Sequence, residues 1–584
     1  MSEWFSGLMI PPGLILILGA FILPQVEGRL RSALVLTLPL LTLLLVWLVP
    51  HGSNMVFGFM DYELEPLRSS AEGRLFASVF SVAAFAGGLY ALNKATLLEL
   101  SAAFFYAGSA IGVTFAGDLI TLFIFWEMMA LGSTLVLWAN GADNPRAYST
   151  SMRYLLVHLF GGVVLMAGIA GHVYSTGSIA FTSMTPLDGV AKWFILAGFL
   201  INAGAPPLSA WIADAYPEAS ASGMVFLSAF TTKTAVFALL VGFPGTDILI
   251  YIGLYMVFYG IIYGLLENDI RRTMAYSIVS QVGFMVTAIG IGSELALNGA
   301  AAHAFAHIIY KALLLMSAGS VIIATGKRKF TDLGGLFQSM PVTAIAGIVG
   351  ALAISAFPFT SGFVTKSLEL AAAYQLPADA EDPALLIWAW FLLTVASAGS
   401  FLYMGIKFPW FVFFQKDSGL RPADPAPNKQ YAMLFFAFMC IALGVFPDVL
   451  YHLLPYQNDL LADPKSYKQY TASHLLSQFQ LLLFAGIAFF VLLPLIKNTL
   501  TISLDFDWFY RRLFKVIGEE FTFKASDIGG KTEAKIRGRV ERFINRLHEQ
   551  HGPQGFLGQS WPSGSMVLWV AILLVCSLGL YYFR

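Results

Sequence analysis

Glu127 stands in the middle of an uninterrupted apolar run that extends from Leu119 to Trp138. A carboxylate at the depth of a lipid bilayer is costly, so it normally marks an ion path, a proton relay or a paired counter-charge. Other apolar segments of the chain carry three lysines and two histidines: Lys233, Lys311, Lys366, His303 and His307. One acid, three amines and two imidazoles in such segments indicate machinery that moves protons or cations.

His303 and His307 precede Lys311 by two turns and by one turn of a helix, so the three side chains are expected on one helix face that points into the protein. Burying an unpaired amine is expensive, and packing alone therefore explains Lys311 poorly. Lys366 could snorkel to the membrane surface only if its span is misplaced by a turn, and Glu369, three residues later, could pair with it.

The composition is that of a polytopic membrane protein. Of the 584 residues, 57% are hydrophobic and 12% are charged, and the mean hydropathy is +0.72, whereas soluble domains carry about 25% charged residues. The net charge of −1 gives no indication of nucleic-acid binding, and the sequence has neither a P-loop nor a GxGxxG motif. The two cysteines, Cys440 and Cys576, lie in apolar runs, so neither a disulfide framework nor a metal-binding CxxC pair is predicted.

Sixteen apolar stretches are long enough to cross a bilayer, which takes about 20 residues each. We place them at 7–24, 31–50, 75–92, 97–116, 119–139, 154–173, 190–206, 223–243, 248–266, 273–292, 299–324, 341–357 continuing to 376, 385–405, 431–448, 475–496 and 565–583. With both termini outside, basic residues concentrate in the inner loops, Lys407 among them, as the positive-inside rule requires. The segment 208–222 is too polar to span and is predicted to be interfacial or re-entrant.

Two spans are interrupted at matching places, the first at Pro206 and Pro207 and the second at Pro358, with Gly362 just beyond. Proline removes a helical hydrogen bond, and broken helices at corresponding positions of two halves are typical of inverted-repeat transporters. The expected domains are N-terminal helices at 1–96, a first repeat at 97–247, a second repeat at 248–405, accessory helices at 406–497, an amphipathic segment along the inner membrane surface at 498–564, and a last span at 565–584.

Several motifs follow one another in a characteristic order. They are Phe125-Trp126-Glu127, Thr232-Lys233-Thr234, Asn268-Asp269-Ile270-Arg271-Arg272, His303-Ala304-Phe305-Ala306-His307, Lys311-Ala312-Leu313-Leu314, and Gly362-Phe363 followed by Thr365-Lys366. As a set, over roughly residues 100–400, they resemble the antiporter-like subunits shared by Mrp-type Na⁺/H⁺ antiporters and respiratory complex I. The resemblance implies an all-α protein with two inverted five-helix repeats, each with a half-channel, joined by a hydrated row of charges. It also implies a lateral helix with a final span, and no cofactor or resident metal.

By this resemblance, Glu127 is the acid of the fifth helix, Lys233 links the first half-channel to the centre, and Lys366 belongs to the broken twelfth helix. His303, His307 and Lys311 match the central relay. The chain departs from the family pattern at Asn202, which stands where a lysine that pairs with the glutamate is expected, and Asn202 cannot titrate.

Without that lysine, Glu127 could still relay protons, could ligate Na⁺ transiently together with the Asn202 oxygen, or could belong to a half-channel that is only structural. Glu127 could also be a counter-ion for Lys233, and His158 is either a packed polar contact or a relay member.

The sequence therefore predicts a multi-pass subunit of the inner membrane, without chemistry of its own, in a multisubunit Mrp-type antiporter of the D-like kind. Its partners would be other membrane subunits, H⁺ and Na⁺, and the lipid bilayer, with no nucleic acid. Two alternatives stay open. One is a proton-pumping subunit of complex I or of a membrane-bound hydrogenase, and the other is a membrane scaffold in an inorganic-carbon uptake assembly, which the loss of the lysine at Asn202 favours.

Overall fold

A computed structural model describes residues 10–374, 382–457, 460, 467–496, 505–506, 508–513, 516, 520, 534–549, 552 and 562–582. The chain divides into two compact units, residues 1–507 and 508–584, which are considered separately. In chain order the helices are α1 Gly13–Ile22, α2 Gly28–Leu48, α3 Ala71–Ala91, α4 Leu97–Phe115, α5 Leu119–Trp138, α6 Arg146–Thr176, α7 Val190–Ala203, α8 Ala210–Ala215, α9 Ala221–Ala229, α10 Thr231–Gly242, α11 Ile248–Leu266, α12 Ile270–Ile291, α13 Glu294–Thr325, α14 Pro341–Ile354, α15 Ser361–Tyr374, α16 Pro383–Ser400, α17 Pro427–Val445, α18 Asp448–Tyr451, α19 Ala472–Val491, α20 Leu493–Ile496, α21 at 534–549 and α22 Ser563–Tyr582.

Thirteen helical stretches in the described part of the chain are long and apolar enough to cross a membrane, and three shorter apolar helices accompany them, α1 with its following turn, α7 and α14. The thirteen are α2, α3, α4, α5, α6, α9 with α10, α11, α12, α13, α16 continuing to Phe414, α17, α19 and α22. Each of the sixteen predicted spans corresponds to one of these helices, so the prediction of a polytopic helical membrane protein is confirmed.

Polar residues in the loops begin several of these helices. Asp118, Ser220, Asp269 and Ser293 precede α5, α9, α12 and α13, and the side chain of each accepts a hydrogen bond from a backbone N–H of the first turn. Such caps satisfy N–H groups that have no partner inside the helix. They therefore fix where the four helices start, and α5, α12 and α13 carry predicted site residues or their partners.

One small sheet departs from the all-helical expectation. Strands β1 Asn54–Phe59 and β2 Tyr62–Arg68 form an antiparallel hairpin between α2 and α3. The Glu65 N–H donates to the Asp118 carboxylate at 2.7 Å, and the Gly117 N–H donates to the Glu65 carbonyl at 2.8 Å. The hairpin is thus fastened to the start of α5.

Both predicted interruptions separate two helices. The first lies between α7 and α8 and contains Pro206 and Pro207, and the second lies between α14 and α15 and contains Pro358. The sequence did not predict a third break, at Phe230, which divides the expected single span 223–243 into α9 and α10.

The polar segment after the first break is enclosed by protein. Every residue of α8 is buried, and this helix packs against α6 and α12. An interfacial helix would expose one face to the headgroups, so the burial of α8 favours the re-entrant alternative.

Lys407 lies in a buried helical turn rather than in the predicted inner loop. Its ammonium donates to the carbonyls of Gly264, Leu265 and Glu267, at 3.2, 2.8 and 2.6 Å, which end helix α11. The prediction was wrong because a cation at a helix C-terminus is stabilised by the free carbonyls and by the helix dipole, and hydropathy does not register such a contact.

In the second unit, α21 exposes every residue except the half-buried Gly538, and the apolar residues Ile536, Val540, Phe543 and Leu547 recur at helical spacing. This spacing agrees with the expected amphipathic segment. Most of the predicted range 498–564 lies outside the described residues, so its course along the inner membrane surface stays a prediction. Helix α22, the expected last span, exposes its apolar residues along its full length.

Candidate functional site

Glu127 points from α5 toward the backbone of α6. A methyl group placed on Gly162 would collide with the Glu127 carboxylate, so the absence of a side chain at Gly162 makes room for this acid. Glu127 is partly exposed and lies on a helix stripe with the exposed Ile124 and Leu131. Within the described part of the chain, its Oε1 atom has no hydrogen-bond partner.

His158 and Asn202 lie beside the same turn of α6. The His158 Nδ1 atom is 2.8 Å from the Asn202 Oδ1 atom, and His158 precedes Gly162 by one helical turn. The His158 ring packs on Tyr154 and Trp211, with centroids 4.1 and 4.7 Å away. The other nitrogens of both residues, His158 Nε2 and Asn202 Nδ2, are buried without a partner among the residues the structure describes.

The first helix break is closed by a neutral donor. The Trp211 indole N–H donates to the Ile201 carbonyl at 3.0 Å, near the end of α7. Glu127, His158 and Asn202 therefore lie around one turn of α6, and no lysine of the described residues donates to the Ile201 carbonyl.

Lys233 is fully buried just after the unpredicted break at Phe230. Its ammonium donates to the Ser228 carbonyl at 2.8 Å and to the Thr232 hydroxyl at 3.0 Å. The ion pairs of the described residues do not join Lys233 to Glu127, so the geometry does not support the counter-ion alternative.

The central cluster lies on α13, where His303, His307 and Lys311 are each 0% exposed. The Lys311 ammonium donates to the Ser277 hydroxyl, and the Met274 sulfur is 3.7 Å away. Both histidines and the lysine point into the protein, as their spacing predicts.

His307 occupies the middle of this cluster. Both of its ring nitrogens are buried without a hydrogen-bond partner in the described part of the chain. Its ring centroid is 6.2 Å from that of His303, and Lys311 follows it by one turn on the same helix. Buried polar atoms are normally satisfied by protein or water, so His307 is suited to bind water between the lysines.

Lys366 reaches the second helix break. Its ammonium donates to the carbonyl of Ile354, the last residue of α14, at 2.8 Å, and stands 4.6 Å from the centroid of the Phe284 ring. In this break Ala356 and Phe359 adopt positive φ angles of 56° and 67°, a conformation that is strained for residues other than glycine. Gly362 lies so close to the Ala353 carbonyl that a side chain there would overlap it.

The sequence analysis did not place Glu369 in the central cluster. It is 0% exposed, and its two carboxylate oxygens are 2.9 and 3.0 Å from the Nδ1 atom of His303, so Glu369 binds the histidine of another helix rather than serving only as a partner for Lys366. Tyr310 and Gln281 continue this contact and were also missed. The available signals were a carboxylate in an apolar segment and a tyrosine two turns after His303.

The row from Lys233 through Lys311, His307 and His303 to Lys366 is therefore brought together in the interior. Glu127, with Asn202 and His158, forms a separate cluster, and the hydrogen bonds and ion pairs of the described residues do not connect it to the row. The described residues contain no group of three or more His, Cys, Asp or Glu side chains placed to hold a metal ion.

The close approach at Gly162 leads to a stability prediction. Gly162→Ala is expected to displace the Glu127 side chain and to lower the free energy of unfolding by about 1–3 kcal/mol, the usual cost of overpacking. The measurement is thermal unfolding of the purified protein beside Gly579→Ala, a helical glycine with open space around it. Equal melting temperatures for the two variants would contradict the placement of Glu127 against α6.

Comparison with known proteins agrees with this architecture. Residues 116–382 match the family described as NADH:quinone oxidoreductase/Mrp antiporter, TM. The chain is similar to NADH-quinone oxidoreductase subunit M of Pseudomonas aeruginosa, 29% identical over 58% of this chain and 70% of the relative. It is also similar to a Na(+)/H(+) antiporter subunit of Alkalihalophilus pseudofirmus, 29% identical over 46% of this chain and 58% of the relative.

A subunit in the structure of the Mrp complex from Dietzia sp. shares the fold, with a TM-score of 0.68 and 20% identity over 80% of this chain and 99% of that subunit. The matched region falls within the part of the chain that carries the family motifs. The resemblance is thereby confirmed: residues 116–382 of this chain match the family described as NADH:quinone oxidoreductase/Mrp antiporter, TM, and the fold is that of a subunit of an Mrp complex.

Proposed function

We propose that this chain is a cation- and proton-translocating membrane subunit of a multisubunit Mrp-type antiporter. The observation that carries the proposal is the fully buried row of three lysines and two histidines, Lys233, Lys311, His307, His303 and Lys366. Burial of so many amines and imidazoles is far more expensive than apolar packing. Their retention is explained if the row conducts protons.

The helix breaks support this role, because they supply polar anchors inside an apolar protein. Lys233 and Lys366 each donate to a backbone carbonyl beside a break, those of Ser228 and Ile354. Free carbonyls at half-helix ends stabilise cations. An ammonium held only by such a carbonyl and a hydroxyl, or by an aromatic face, can exchange its proton without breaking a strong ion pair.

The contacts suggest the order of the path. Helix α10, which carries Lys233, packs against α13, which carries Lys311, so Lys233 is placed to connect the first half to the centre. His307 and His303 follow, and Lys366 at the second break forms the far end. We assign Glu127 to the entrance of the first half, with His158, one turn before Gly162 on α6, as a titratable neighbour and Asn202 as a neutral oxygen donor.

The proposed driving force is the electrochemical gradient. Moving one charge across the membrane changes its energy by about 2.3 kcal/mol for every 100 mV. The proposed transport thus needs no reaction within this chain. Protons are the first candidate cargo, and Na⁺ is the second, because the carboxylate of Glu127 and the carbonyl oxygen of Asn202 are ligands that hard cations prefer.

The proposed partners are other membrane subunits of the same complex, within the inner membrane. Glu127 shares its helix face with the exposed Ile124 and Leu131, which are 47% and 50% accessible. A partly exposed carboxylate at bilayer depth is costly against lipid. A neighbouring subunit that covers this face of α5 would remove that cost.

A proton-pumping subunit of a redox-driven complex is the second candidate, and the similarity to a quinone oxidoreductase subunit favours it. A membrane scaffold for inorganic-carbon uptake is the third, favoured by the loss of a titratable group at Asn202. Genes adjacent to this one would separate the three: small antiporter subunits, quinone-reductase subunits or a large zinc protein.

The direct test uses everted membrane vesicles that contain the whole complex in a host without its own Na⁺/H⁺ antiporters. Adding NaCl to respiring vesicles is expected to release protons, which a pH-sensitive dye reports, and KCl serves as the cation control. Proton movement that requires a quinone and is indifferent to Na⁺ would replace the antiporter proposal with the redox-driven one. A host that gains only bicarbonate uptake would favour the scaffold.

A further inference from the structure

Four helices contribute to a chain of buried hydrogen bonds that begins at Glu369. The Glu369 carboxylate lies 2.9 Å from His303 Nδ1, and His303 Nε2 lies 2.8 Å from the Tyr310 hydroxyl. Tyr310 is 3.2 Å from Gln281 Oε1, and Gln281 Nε2 is 3.3 Å from the Ser400 hydroxyl. All five side chains are 0% exposed, so bulk water does not compete with these bonds.

The far end of this chain fixes the direction of its hydrogen bonds. The Ser400 hydroxyl donates its single hydrogen to the Ala396 carbonyl at 3.0 Å. Its oxygen therefore accepts from the Gln281 amide nitrogen, which turns the amide oxygen of Gln281 toward Tyr310. Since an amide oxygen can only accept, the Tyr310 hydroxyl donates to Gln281.

The direction of these hydrogen bonds determines which ring nitrogen of His303 carries a hydrogen. The Tyr310 hydroxyl donates its only hydrogen to Gln281, so its oxygen must accept a hydrogen bond from an N–H at the Nε2 atom of His303. A neutral imidazole has one N–H, which leaves Nδ1 as a bare acceptor in front of the Glu369 carboxylate. Two acceptors cannot face each other at 2.9 Å, so one more proton must lie between them.

We propose that Glu369 and His303 form a proton-storage site that holds one proton, either on the carboxyl group beside a neutral imidazole or on the imidazole beside a carboxylate. Tyr310 and Gln281 are positioning residues that hold the Nε2–H of His303 in place. The amide of Gln281 does not pass protons onward. This series of hydrogen bonds therefore orients His303 and is not a path by which protons leave the protein.

The position of the Glu369–His303 pair next to Lys366 and His307 gives the stored proton a role in transport. Lys366 lies one turn before Glu369 on α15, and His307 lies one turn after His303 on α13. With its proton the pair is neutral, so it can hold a proton beside Lys366 without adding a positive charge. After releasing it, the pair carries a negative charge and stabilises the ammonium of Lys366. This transport role rests on the proposed function, whereas the stored proton does not.

The first experiment reads the protons directly. Solid-state NMR of the complex, with this chain labelled with ¹⁵N-histidine, distinguishes the two neutral tautomers and the imidazolium form, and the His303 signal is assigned by its loss in His303→Gln. We expect Nε2 of His303 to be protonated, with Nδ1 either hydrogen-bonded to a protonated carboxyl group or protonated itself. A neutral His303 with its hydrogen on Nδ1 would overturn the proposal, whether or not the complex transports Na⁺.

Variants then distinguish proton storage by the Glu369–His303 pair from a purely structural role of these residues. Tyr310→Phe removes the acceptor for Nε2–H, and we expect a second His303 tautomer in the NMR spectrum; an unchanged single species would contradict the positioning role. Glu369→Gln can still donate to Nδ1 but cannot release that proton, so we expect normal assembly and transport lowered about 100-fold, as for loss of a positioned proton carrier. The matched control is Glu99→Gln, a buried acid bonded to Ser222 outside the row. Equal transport in Glu369→Gln and the control would overturn the role of Glu369.

Discussion

Lys366→Ala is expected to abolish Na⁺-dependent proton movement while the complex still assembles. Lys366 is the only titratable group that donates to a carbonyl at the second break among the described residues, through its 2.8 Å bond to Ile354. Alanine cannot carry a proton, and the row then ends at His303 and Glu369. We expect transport below about 1% of the wild-type rate, which corresponds to about 2.7 kcal/mol or more in the barrier.

Assembly should survive because the Ile354 carbonyl is a helix-end group that water can satisfy. Lys366→Met is the matched variant, since it retains most of the volume and the contact with Phe284 while removing the charge. Lys416→Ala, at an exposed lysine, controls for expression. Native gels of the complex and dye-reported proton release in everted vesicles give the two readouts. Wild-type transport in both Lys366→Ala and Lys366→Met would show that the path does not pass through the second break.

The sequence was sufficient to predict the membrane helices, because a bilayer demands long apolar stretches with their backbone hydrogen bonds satisfied internally. The break at Phe230 illustrates what it could not predict. No proline or glycine lies in the local sequence; instead the Tyr106 hydroxyl oxygen accepts from the Thr231 N–H at 2.9 Å. A residue more than a hundred positions away thus provides the partner that lets the helix be interrupted, and no local pattern records it.

The same limit applies to the site, where the sequence identified single residues but not their partners. The cost of charge in an apolar segment identified Glu127, Lys233, Lys311 and Lys366 as special, because that cost depends only on the residue and its neighbours along the chain. The partners depend on tertiary contacts: Asn202 meets His158 across 44 positions, and His303 meets Glu369 across 66. Which groups share a hydrogen bond could therefore not be predicted without the fold.

The two halves differ most clearly at their proline-containing breaks. In the second half an ammonium, that of Lys366, donates to the last carbonyl of α14. In the first half the neutral indole of Trp211 donates to the carbonyl of Ile201 at the end of α7, and Asn202 is the next residue along the chain. Among the described residues, no ammonium group donates to the carbonyl at the end of α7, and His158 on the neighbouring helix α6 contacts Asn202 beside this break.

This asymmetry predicts a graded response to changes around Glu127. Glu127→Gln is expected to reduce transport less than Lys366→Ala does, by about tenfold at most, or about 1.4 kcal/mol, because no lysine among the described residues pairs with Glu127. Asn202→Lys should restore a cation near the carboxylate and favour its ionised form. We therefore expect the pH dependence of transport to shift toward lower pH in Asn202→Lys.

Asn202→Met is the matched control, because it removes the hydrogen bond to His158 as lysine does but adds no charge. A shift in Asn202→Lys that is absent in Asn202→Met would assign the effect to the cation rather than to a freed His158. The pH profiles of the four variants are compared in one vesicle assay, with protein amounts normalised on blots. If Glu127→Gln is as damaging as Lys366→Ala, and neither Asn202 variant moves the profile, then the first half works with His158 or a water chain in place of the amine. In that case the absence of a lysine at Asn202 does not weaken the first half.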